Sequence, residues 1–491
     1  MTAAGEDWLT SQLKTQYPRF FFTTEVRELT ERILERLGLG GVDGVSCMVL
    51  WSLPSVSRCE RVIRDSGAPG DAVVPVRFFL PERLSCEASW LEIHAIIYPT
   101  QYFGAAFTNW INTGDGMSSR HAEFCLPGFD YLQSHSSNPA FCTVPPKTLV
   151  VKGEPIPVLL TSGTVELDSL PSPNDVFLYP GGMSAINAVA RALGNLGINS
   201  VFGFGWLYTE TVKILEHRWP DIEIYKKSGE EELDRLEASL KSERQITALW
   251  VDIPSNPMPI TPDMPRLRRL ANEHHFLILI DGTVGTFVDL LPYADVLMSS
   301  LTKMYSGYAN VLAGCAVVNP RSSSYEKLHR QLTVSYEKTL FPGDIAVLHD
   351  NSRDFVHRVL VTNKNAEIIA AKLAAHPAVE RVNYPTMTTR LQYERIRRRD
   401  GGYGHLLGII SRDNETARRF YDGVDIFKGG SFGTIFTLST PFAQLTTDAD
   451  RARFAGAGIP SHIVRISIGM EDIDALVDTL FGAIEMAMMR D

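Results

Sequence analysis

The sequence predicts an α/β protein whose main domain is a large, mostly parallel β-sheet covered by helices. From about Val150 onward, apolar strand-like runs alternate with helical segments, which is typical of parallel sheets. The run FLILID, which starts at Phe276, is apolar almost throughout, as strands buried on both faces are. The chain of 491 residues is long enough for roughly two to four domains. We divide it into an N-terminal α+β extension (1–145), a large domain (146–350) and a small C-terminal α/β domain (351–491).

The extension is expected to contain one helix and several strands. Apolar residues recur on one helical face between Thr24 and Leu37, and Gly38 follows as a helix stop. Short apolar runs bounded by Gly, Pro and Ser predict strands at 47–51, 73–80 and 91–99. The stretch 133–146 is rich in Ser, Asn, Pro and His and is the best candidate for a linker or a long surface loop.

The remaining elements follow the pattern of the two later domains. The large domain is predicted to contain an Ala-rich helix after Met183, a strand at 248–253, a helix at 266–274 and a strand at 276–280. The small domain begins with a helical stretch after Asp350. It ends in a helix preceded by Glu471 and Asp472, where the helix dipole favours acidic side chains.

Charge and composition exclude several classes of function. The formal net charge is -10, from 47 basic and 57 acidic residues, so the chain lacks the basic surface that nucleic acids or anionic membranes require. The start, MTAAGEDWLTSQ, lacks a basic n-region and an apolar h-region, and no run of about 18 apolar residues follows. We therefore expect a cytoplasmic protein with neither nucleic acid nor membrane as partner.

Cysteine and histidine spacing predicts no metal centre. The six cysteines are scattered, without a C-x-x-C pair or a nearby histidine, so we expect them to be reduced and structural. His274 and His275 lack the spacing of helical metal ligands and are interpreted as exposed loop residues.

The most informative motif places an acid and a lysine at the ends of two neighbouring strands. Asp281 closes the strand FLILID, and a second apolar strand ends in Ser-Leu-Thr-Lys, with Lys303 followed by glycines. Ligands of α/β folds bind where such strands end. Pyridoxal 5'-phosphate (PLP) needs this pair, since a lysine forms its Schiff base and a carboxylate keeps its ring nitrogen protonated.

A glycine turn supplies a possible phosphate site. The segment DVFLYPGGMSAINAVARALG is an apolar strand, a Gly181-Gly182 turn and a helix start. The free N–H groups of a helix N-terminus bind anions. Ser300 and Thr302, beside Lys303, could add hydroxyl donors. Taken singly, each of these features has an ordinary explanation: a tight turn, a helix-capping aspartate or a surface lysine.

These segments resemble the cystathionine γ-synthase family of PLP enzymes for Cys/Met metabolism, in a longer form with an N-terminal extension. The resemblance runs from about Trp110 to the C-terminus, and its most specific motif is SSLTKMYSGYANVLAG around Lys303. It implies the aspartate-aminotransferase-like fold of PLP enzymes, with Lys303 as the cofactor lysine and proton carrier and Asp281 at the ring nitrogen. It also implies homo-oligomers, dimers or tetramers, that share active sites between subunits.

The resemblance implies roles for further residues. Gly182 and Met183 would give backbone donors to the phosphate, and Tyr208 would stack on the PLP ring, with Trp206 as the alternative. Asn256 would lie beside the phenolic oxygen of the cofactor. The substrate carboxylate would be held by Arg465 and Ser431.

Three departures from the family concern the pocket wall. The family's Tyr-x-Arg, which reaches the phosphate of a neighbouring subunit, is Ser118-Ser119-Arg120 here, so Arg120 is kept and the tyrosine is lost. Gly282 and Tyr308 stand where more polar residues are usual. These changes would favour a less charged nucleophile than cysteine, although drift in a housekeeping cystathionine γ-synthase explains them as well.

The implied reaction is γ-replacement on an O-acyl-L-homoserine, in which a vinylglycine-type intermediate accepts a carbon nucleophile or a thiol. O-acetyl-L-homoserine is the expected donor. A carbon nucleophile would place the enzyme in specialised metabolism, and cysteine would make it a cystathionine γ-synthase. Two alternatives stay open: a β- or γ-lyase that uses the same residues, and a non-catalytic scaffold. Retention of Lys303, Asp281 and Arg465 together argues against the scaffold.

Overall fold

The described residues of the chain form three β-sheets that follow one another along the sequence. The computed structural model describes residues 22–80, 88–135, 171–242, 245–285, 288–445 and 448–489. Of the predicted linker at 133–146, only the last residues of a helix are described, and the boundary after residue 145 lies outside the described residues. Both stay predictions, as does the boundary after residue 350, which falls within a helix.

The extension is a three-stranded antiparallel sheet with helices on both faces. Its strands are β1 (Val45–Leu50), β2 (Val74–Phe79) and β3 (Glu92–Pro99), in the order β1-β3-β2. Its helices are α1 (Thr24–Arg36), α2 (Leu53–Asp65), α3 (Phe103–Thr113) and α4 (Ser119–His135). Helices α1 and α4 pack on one face, and α2 and α3 pack on the other. The predicted helix after Thr24 is confirmed, and Gly38 follows it with a positive φ of 72°.

The central sheet has seven strands and is mostly parallel, as predicted. Its order is β4-β10-β9-β8-β7-β5-β6, and only β10 runs antiparallel to its neighbours. The strands are β4 (Val176–Tyr179), β5 (Val201–Phe204), β6 (Glu223–Tyr225), β7 (Ala248–Asp252), β8 (Leu277–Asp281), β9 (Val296–Ser300) and β10 (Gly314–Val318). The helices are α5 (Gly182–Asn195), α6 (Thr209–Arg218), α7 (Glu230–Lys241), α8 (Met264–His274), α9 (Tyr325–Ser335) and α10 (Pro342–Ser352).

Alternate residues of the central strands enter two separate cores. Trp250 and Leu279 pack towards α5 on one face, whereas Leu249 and Ile278 pack towards α8 on the other. Because both faces are covered, neither set of residues meets water. This explains why these strands are apolar almost throughout.

The C-terminal part forms a five-stranded sheet in the order β11-β12-β15-β14-β13. Its strands are β11 (Val379–Asn383), β12 (Leu406–Ser411), β13 (Phe427–Lys428), β14 (Leu438–Pro441) and β15 (Val464–Ser467). Its helices are α11 (Phe355–Ala374), α12 (Arg390–Glu394), α13 (Asn414–Gly423), α14 (Asp448–Gly456) and α15 (Ile473–Met488). The predicted final helix is confirmed, and the Asp472 carboxylate caps its N-terminus. In the described part of the chain, no helix is long and apolar enough to cross a membrane.

Candidate active site

Several of the predicted site residues gather where the parallel strands of the central sheet end. Asp252, Asp281 and Ser300 are the last residues of β7, β8 and β9. Strand β4, which is separated from β9 by β10, leads directly into α5, so the N-terminus of this helix comes to the same edge. This is the edge at which α/β sheets bind their ligands.

The N-terminus of α5 forms a close-packed anion cradle with the end of β9. A Cβ added to Gly182 would lie 2.8 Å from Cβ of Ser300, so only glycine lets the turn approach Ser300 this closely. No side chain of the described residues caps α5, and the first-turn N–H groups of Gly182, Met183 and Ser184 have no acceptor within the helix. Met183 buries its side chain in the core and offers only its backbone to a ligand.

Lys303 lies in the turn after β9 and faces the small domain. Its Nζ donates a hydrogen bond of 2.8 Å to Oγ of Ser431 and lies 5.0 Å from the ring centre of Phe432. Thr302 fixes the turn, because its hydroxyl accepts from the Ala313 N–H (2.9 Å) and donates to the Ala313 carbonyl (3.1 Å). The amine is therefore held between two domains.

Two residues that could not be singled out from the sequence contact the backbone of this turn and fix its position. Arg358, fully buried on α11, donates from Nη2 to the carbonyls of Met304 (3.2 Å) and Tyr305 (2.7 Å). Gly433 has a φ of 72°, and a Cβ added to it would lie 2.6 Å from the Met304 amide nitrogen. The small domain thus sets the position of Lys303.

Asp281 is buried and is tied to Ser300 through Thr283. Its Oδ1 accepts from the Thr283 N–H (2.9 Å), and Oγ1 of Thr283 accepts from the Ser300 N–H (2.8 Å). Burial raises the pKa of Asp281, although its hydrogen bonds with Thr283 oppose this. A cation placed beside this carboxyl group would restore its ionised form.

A second buried carboxyl group stands beside Asp281. Asp252 is its register partner on β7, and Oδ2 of Asp252 accepts from the Tyr208 N–H at 2.6 Å. Burial and the nearby Asp281 raise the pKa of Asp252 well above its ordinary value. Oδ1 of Asp252 is buried and makes no hydrogen bond to the described residues. The sequence carried a signal for this residue, since Asp252 closes an apolar strand as Asp281 does.

Arg465 is buried on β15 and contacts neutral groups. Its Nη atoms donate to Oδ1 of Asn256 (3.0 Å), Oγ1 of Thr440 (3.0 Å) and the carbonyls of Gly430 (2.9 Å) and Ser431 (2.6 Å). Its Nε makes no hydrogen bond, and no carboxylate of the described residues pairs with it. A guanidinium in this setting is suited to an anionic ligand.

The two candidate aromatic stackers have different surroundings. Burial lowers the pKa of the Arg465 guanidinium, and the nearby phenol of Tyr208 opposes this lowering. Trp206 packs edge-on against Phe454, with ring centres 4.9 Å apart, in a separate apolar cluster. These contacts favour Tyr208 as the stacking residue.

Arg120 lies in a different set of contacts from Lys303 and Arg465 within this chain. Its Nη1 is 3.0 Å from Oδ1 of Asp344, and its Nη2 donates to the Asn310 carbonyl at 2.7 Å. Its role at a partner's phosphate stays a prediction.

Taken together, the described residues offer an anion cradle, an amine, a buried carboxyl pair and a buried guanidinium. A model of Cys/Met metabolism PLP-dependent enzymes matches residues 164–485, about two thirds of the chain. The chain belongs to this family. Residues 25–118 also match the N-terminal domain of fungal trans-sulfuration enzymes. The extension is thus a second recognised part of the same kind of enzyme.

Relatives match along almost the whole chain. A cystathionine gamma-synthase-like protein, ankD of Aspergillus thermomutatus, is 37% identical over 99% of this chain and 90% of its own length. A cystathionine gamma-synthase of Neurospora crassa is 30% identical over 98% of this chain and 94% of its own. The solved cystathionine gamma synthase of Xanthomonas oryzae pv. oryzae, in complex with aminoacrylate and cysteine, shares the fold, with a TM-score of 0.55, 22% identity and coverage of 64% and 81%.

The chain is therefore a PLP enzyme, and its residues fit the cofactor. The uncapped N-terminus of α5 suits the phosphate, and the buried Asp281 suits a protonated ring nitrogen. The predicted family, fold class and cofactor are confirmed. The roles of individual residues stay predictions.

Proposed function

We propose that this enzyme catalyses γ-replacement on an O-acyl-L-homoserine, with O-acetyl-L-homoserine as the preferred donor. The observation that carries the proposal is the buried guanidinium of Arg465 close to Lys303, linked to it through Ser431. Arg465 contacts the Ser431 carbonyl, and Lys303 contacts the Ser431 hydroxyl. An amino acid held by its carboxylate at Arg465 would present its amine and α-carbon towards Lys303.

The chain's own residues supply binding and proton transfer. When bound, PLP supplies an electron-accepting ring that stabilises negative charge at the α-carbon of the amino acid. Gly182, Met183 and Ser300 would hold the phosphate, and Asp281 would keep the ring nitrogen protonated. Asn256 would lie beside the phenolic oxygen of the cofactor. Tyr208 would cover the ring face.

Lys303 would move protons at the substrate. Nζ of Lys303 would take the α-proton of the bound amino acid and would return protons after the γ-acyloxy group has left as a carboxylate. Ser431 would orient Nζ, because its Oγ accepts the hydrogen bond from this nitrogen. Tyr208, on the ring face, is the second residue proposed to assist in these proton transfers.

The nucleophile is a carbon acid or a thiol. The three residues that depart from the family, Ser118, Gly282 and Tyr308, have different surroundings. Tyr308 donates its hydroxyl to Asp354 (2.9 Å), and Ser118 accepts from the His121 N–H (3.2 Å). A Cβ added to Gly282 would point at Leu290 and Leu297, so a side chain there would enter the apolar core. The proposal of a changed nucleophile therefore rests on Ser118 and Tyr308 as departures from the family.

Competition assays test the proposal. The purified enzyme is incubated with O-acetylhomoserine and a panel of keto acids, keto esters and thiols, and products are identified by mass spectrometry. We expect a γ-substituted amino acid. If cysteine exceeds every carbon nucleophile about a hundredfold in kcat/KM, the enzyme is a cystathionine γ-synthase. Release of ammonia and a keto acid without any adduct would instead identify a lyase.

We further propose that the enzyme works in the cytoplasm as a homo-oligomer, either a dimer or a tetramer. The support for the oligomer is Arg120, whose side chain lies 27% exposed beside Asp344 and resembles the family's cross-subunit arginine. Sedimentation of the holoenzyme gives the subunit number, and a monomer with full activity would contradict shared sites.

A further inference from the structure

The extension makes a direct contact with the first turn of α5. Gly114, which ends α3 with a φ of 66°, accepts hydrogen bonds on its carbonyl from Oγ of Ser184 (3.0 Å) and Nε1 of Trp51 (3.2 Å). A Cβ added to Gly114 would lie 2.5 Å from the Ser184 Oγ and 3.0 Å from the Ser184 amide nitrogen. Ser184 belongs to the turn whose N–H groups form the anion cradle.

A network of charged residues joins the same two parts of the molecule. Arg58 on α2 of the extension donates to both carboxylate oxygens of Asp115 at 2.8 Å and to Glu337 at 2.7 Å. Glu337 also accepts from Arg191 on α5 (2.9 Å) and from the Ser52 hydroxyl (2.9 Å). The network therefore runs from the extension, through one carboxylate, to the helix that carries the cradle.

The network is sheltered from water. Its four charged side chains are only 9 to 21% exposed. Burial alone would raise the pKa of Glu337, but Arg58 and Arg191 hold it below its ordinary value. Breaking such a pair leaves a buried charge without its partner, which costs far more than breaking a surface pair.

We propose that the N-terminal extension positions the first turn of α5 for the cofactor phosphate, and that Arg58 and Glu337 are the positioning residues. The contact at Gly114 fixes the distance between the first turn of α5 and Ser300. The ion network prevents α5 from sliding along its own axis. The extension then acts on the affinity for the phosphate group rather than on the chemistry at Lys303. This inference rests on the proposed role of the α5 turn as the phosphate site.

The test compares PLP with pyridoxal, which lacks the phosphate. Full-length holoenzyme is stripped of cofactor, and dissociation constants for both compounds are measured for wild type, Arg58→Met and Glu337→Gln. We expect PLP to bind about tenfold more weakly in Arg58→Met, the equivalent of about 1.4 kcal/mol, while pyridoxal affinity is unchanged. The matched control is Arg64→Met on the same helix, because Arg64 pairs with Glu60 and the Gly70 carbonyl within the extension.

Each outcome separates the inference from the proposed function. Equal loss of PLP and pyridoxal affinity, or no loss of either in both variants, would overturn the inference. Glu337→Gln keeps the volume and one hydrogen-bond acceptor, so it reports on the network even if Arg58→Met does not fold. Wild type that binds PLP no better than pyridoxal would instead overturn the α5 turn as the phosphate site.

Discussion

Arg465 carries a positive charge in a place from which water is excluded. Only 2% of the residue is exposed, and burial lowers the pKa of its guanidinium to about 10. A buried charge without an opposite charge is unfavourable. An incoming carboxylate relieves this penalty, which gives the site a reason to prefer amino acids over amines.

The first prediction concerns the planar guanidinium of Arg465, which can donate two parallel hydrogen bonds. Arg465→Lys keeps a positive charge but loses the planar, two-pronged donor, so KM for the amino-acid substrate should rise about tenfold to a hundredfold. The absorption spectrum of the bound cofactor should not change. Arg381→Lys, at an exposed position of strand β11 in the same sheet, is the control. Loss of the cofactor spectrum with an unchanged KM would assign Arg465 to PLP instead.

The second prediction concerns the folding stability of the apoenzyme and how Asp252 makes this stability depend on pH. Its pKa is raised in the folded state, whereas an unfolded aspartate titrates near about 3.9. The folded state therefore holds a proton that the unfolded state loses, so stability falls as pH rises from about 4 towards the raised pKa. Asp252→Asn removes this loss and still accepts from the Tyr208 N–H.

Thermal unfolding of apoenzyme at pH 5, 6 and 7 measures this effect. The melting temperature of Asp252→Asn should exceed that of wild type by a margin that grows with pH, corresponding to about 1.4 kcal/mol for each unit of raised pKa. Asp478→Asn, at an exposed position of α15, should show no such trend. A margin that shrinks as pH rises would contradict the buried carboxyl pair.

At the scale of elements, the loop before β14 and the turn after β9 fit together through one glycine. The third prediction uses two glycines with similar backbone angles. Gly433 and Gly458 have φ of 72° and 76°, so alanine at either position is strained by about 1 to 2 kcal/mol. A Cβ at position 458 meets nothing within 4 Å, whereas one at position 433 meets the Met304 backbone at 2.6 Å.

Gly458→Ala should therefore lower stability alone and leave kcat unchanged. Gly433→Ala should in addition displace Lys303 and lower kcat at least about tenfold, since small misplacements of reacting groups are costly. Melting temperature and steady-state kinetics of both variants provide the measurement. Equal kcat values for the two variants would show that the loop does not position the lysine.

How far the site could be predicted depends on whether its residues follow strands of the sheet. Asp281, Ser300 and Lys303 could be found because strands with strong apolar patterns end at them. Arg358 and Gly433 could not be found, because they act from elements 55 and 130 residues further along the chain. Their roles depend on how the small domain packs on the lysine turn, and no local pattern records this.

At the scale of the whole molecule, the described residues form three sheets, and the predicted α+β extension, parallel sheet and small domain all appear in order. The extension's contacts with α5 could not be predicted, because Arg58 and Glu337 are 279 residues apart. Each of these two residues lies in a segment whose sequence pattern indicates only a charged side chain on the surface.

The fourth prediction concerns the assembled molecule. If Arg120 serves a partner's phosphate site, Arg120→Met and Lys303→Ala should each be inactive alone. Co-expressed with one another, they should recover about a quarter of wild-type activity, because half of randomly assembled dimers are hybrids with one intact site. Co-expression of Lys303→Ala with Asp281→Ala provides the control, since both residues serve the same site. No recovery in the first mixture would place Arg120 in its own chain's site, and full activity of Arg120→Met alone would place it outside the chemistry.

The most direct test of the central claim, that Lys303 carries the cofactor, is borohydride trapping. The yellow holoenzyme is reduced with borohydride, digested and mapped by mass spectrometry. A pyridoxyl-phosphate group fixed to Lys303, with the label absent from Lys303→Ala, is the predicted result. A label on any other lysine, or no label on a protein that holds PLP, would contradict the assignment.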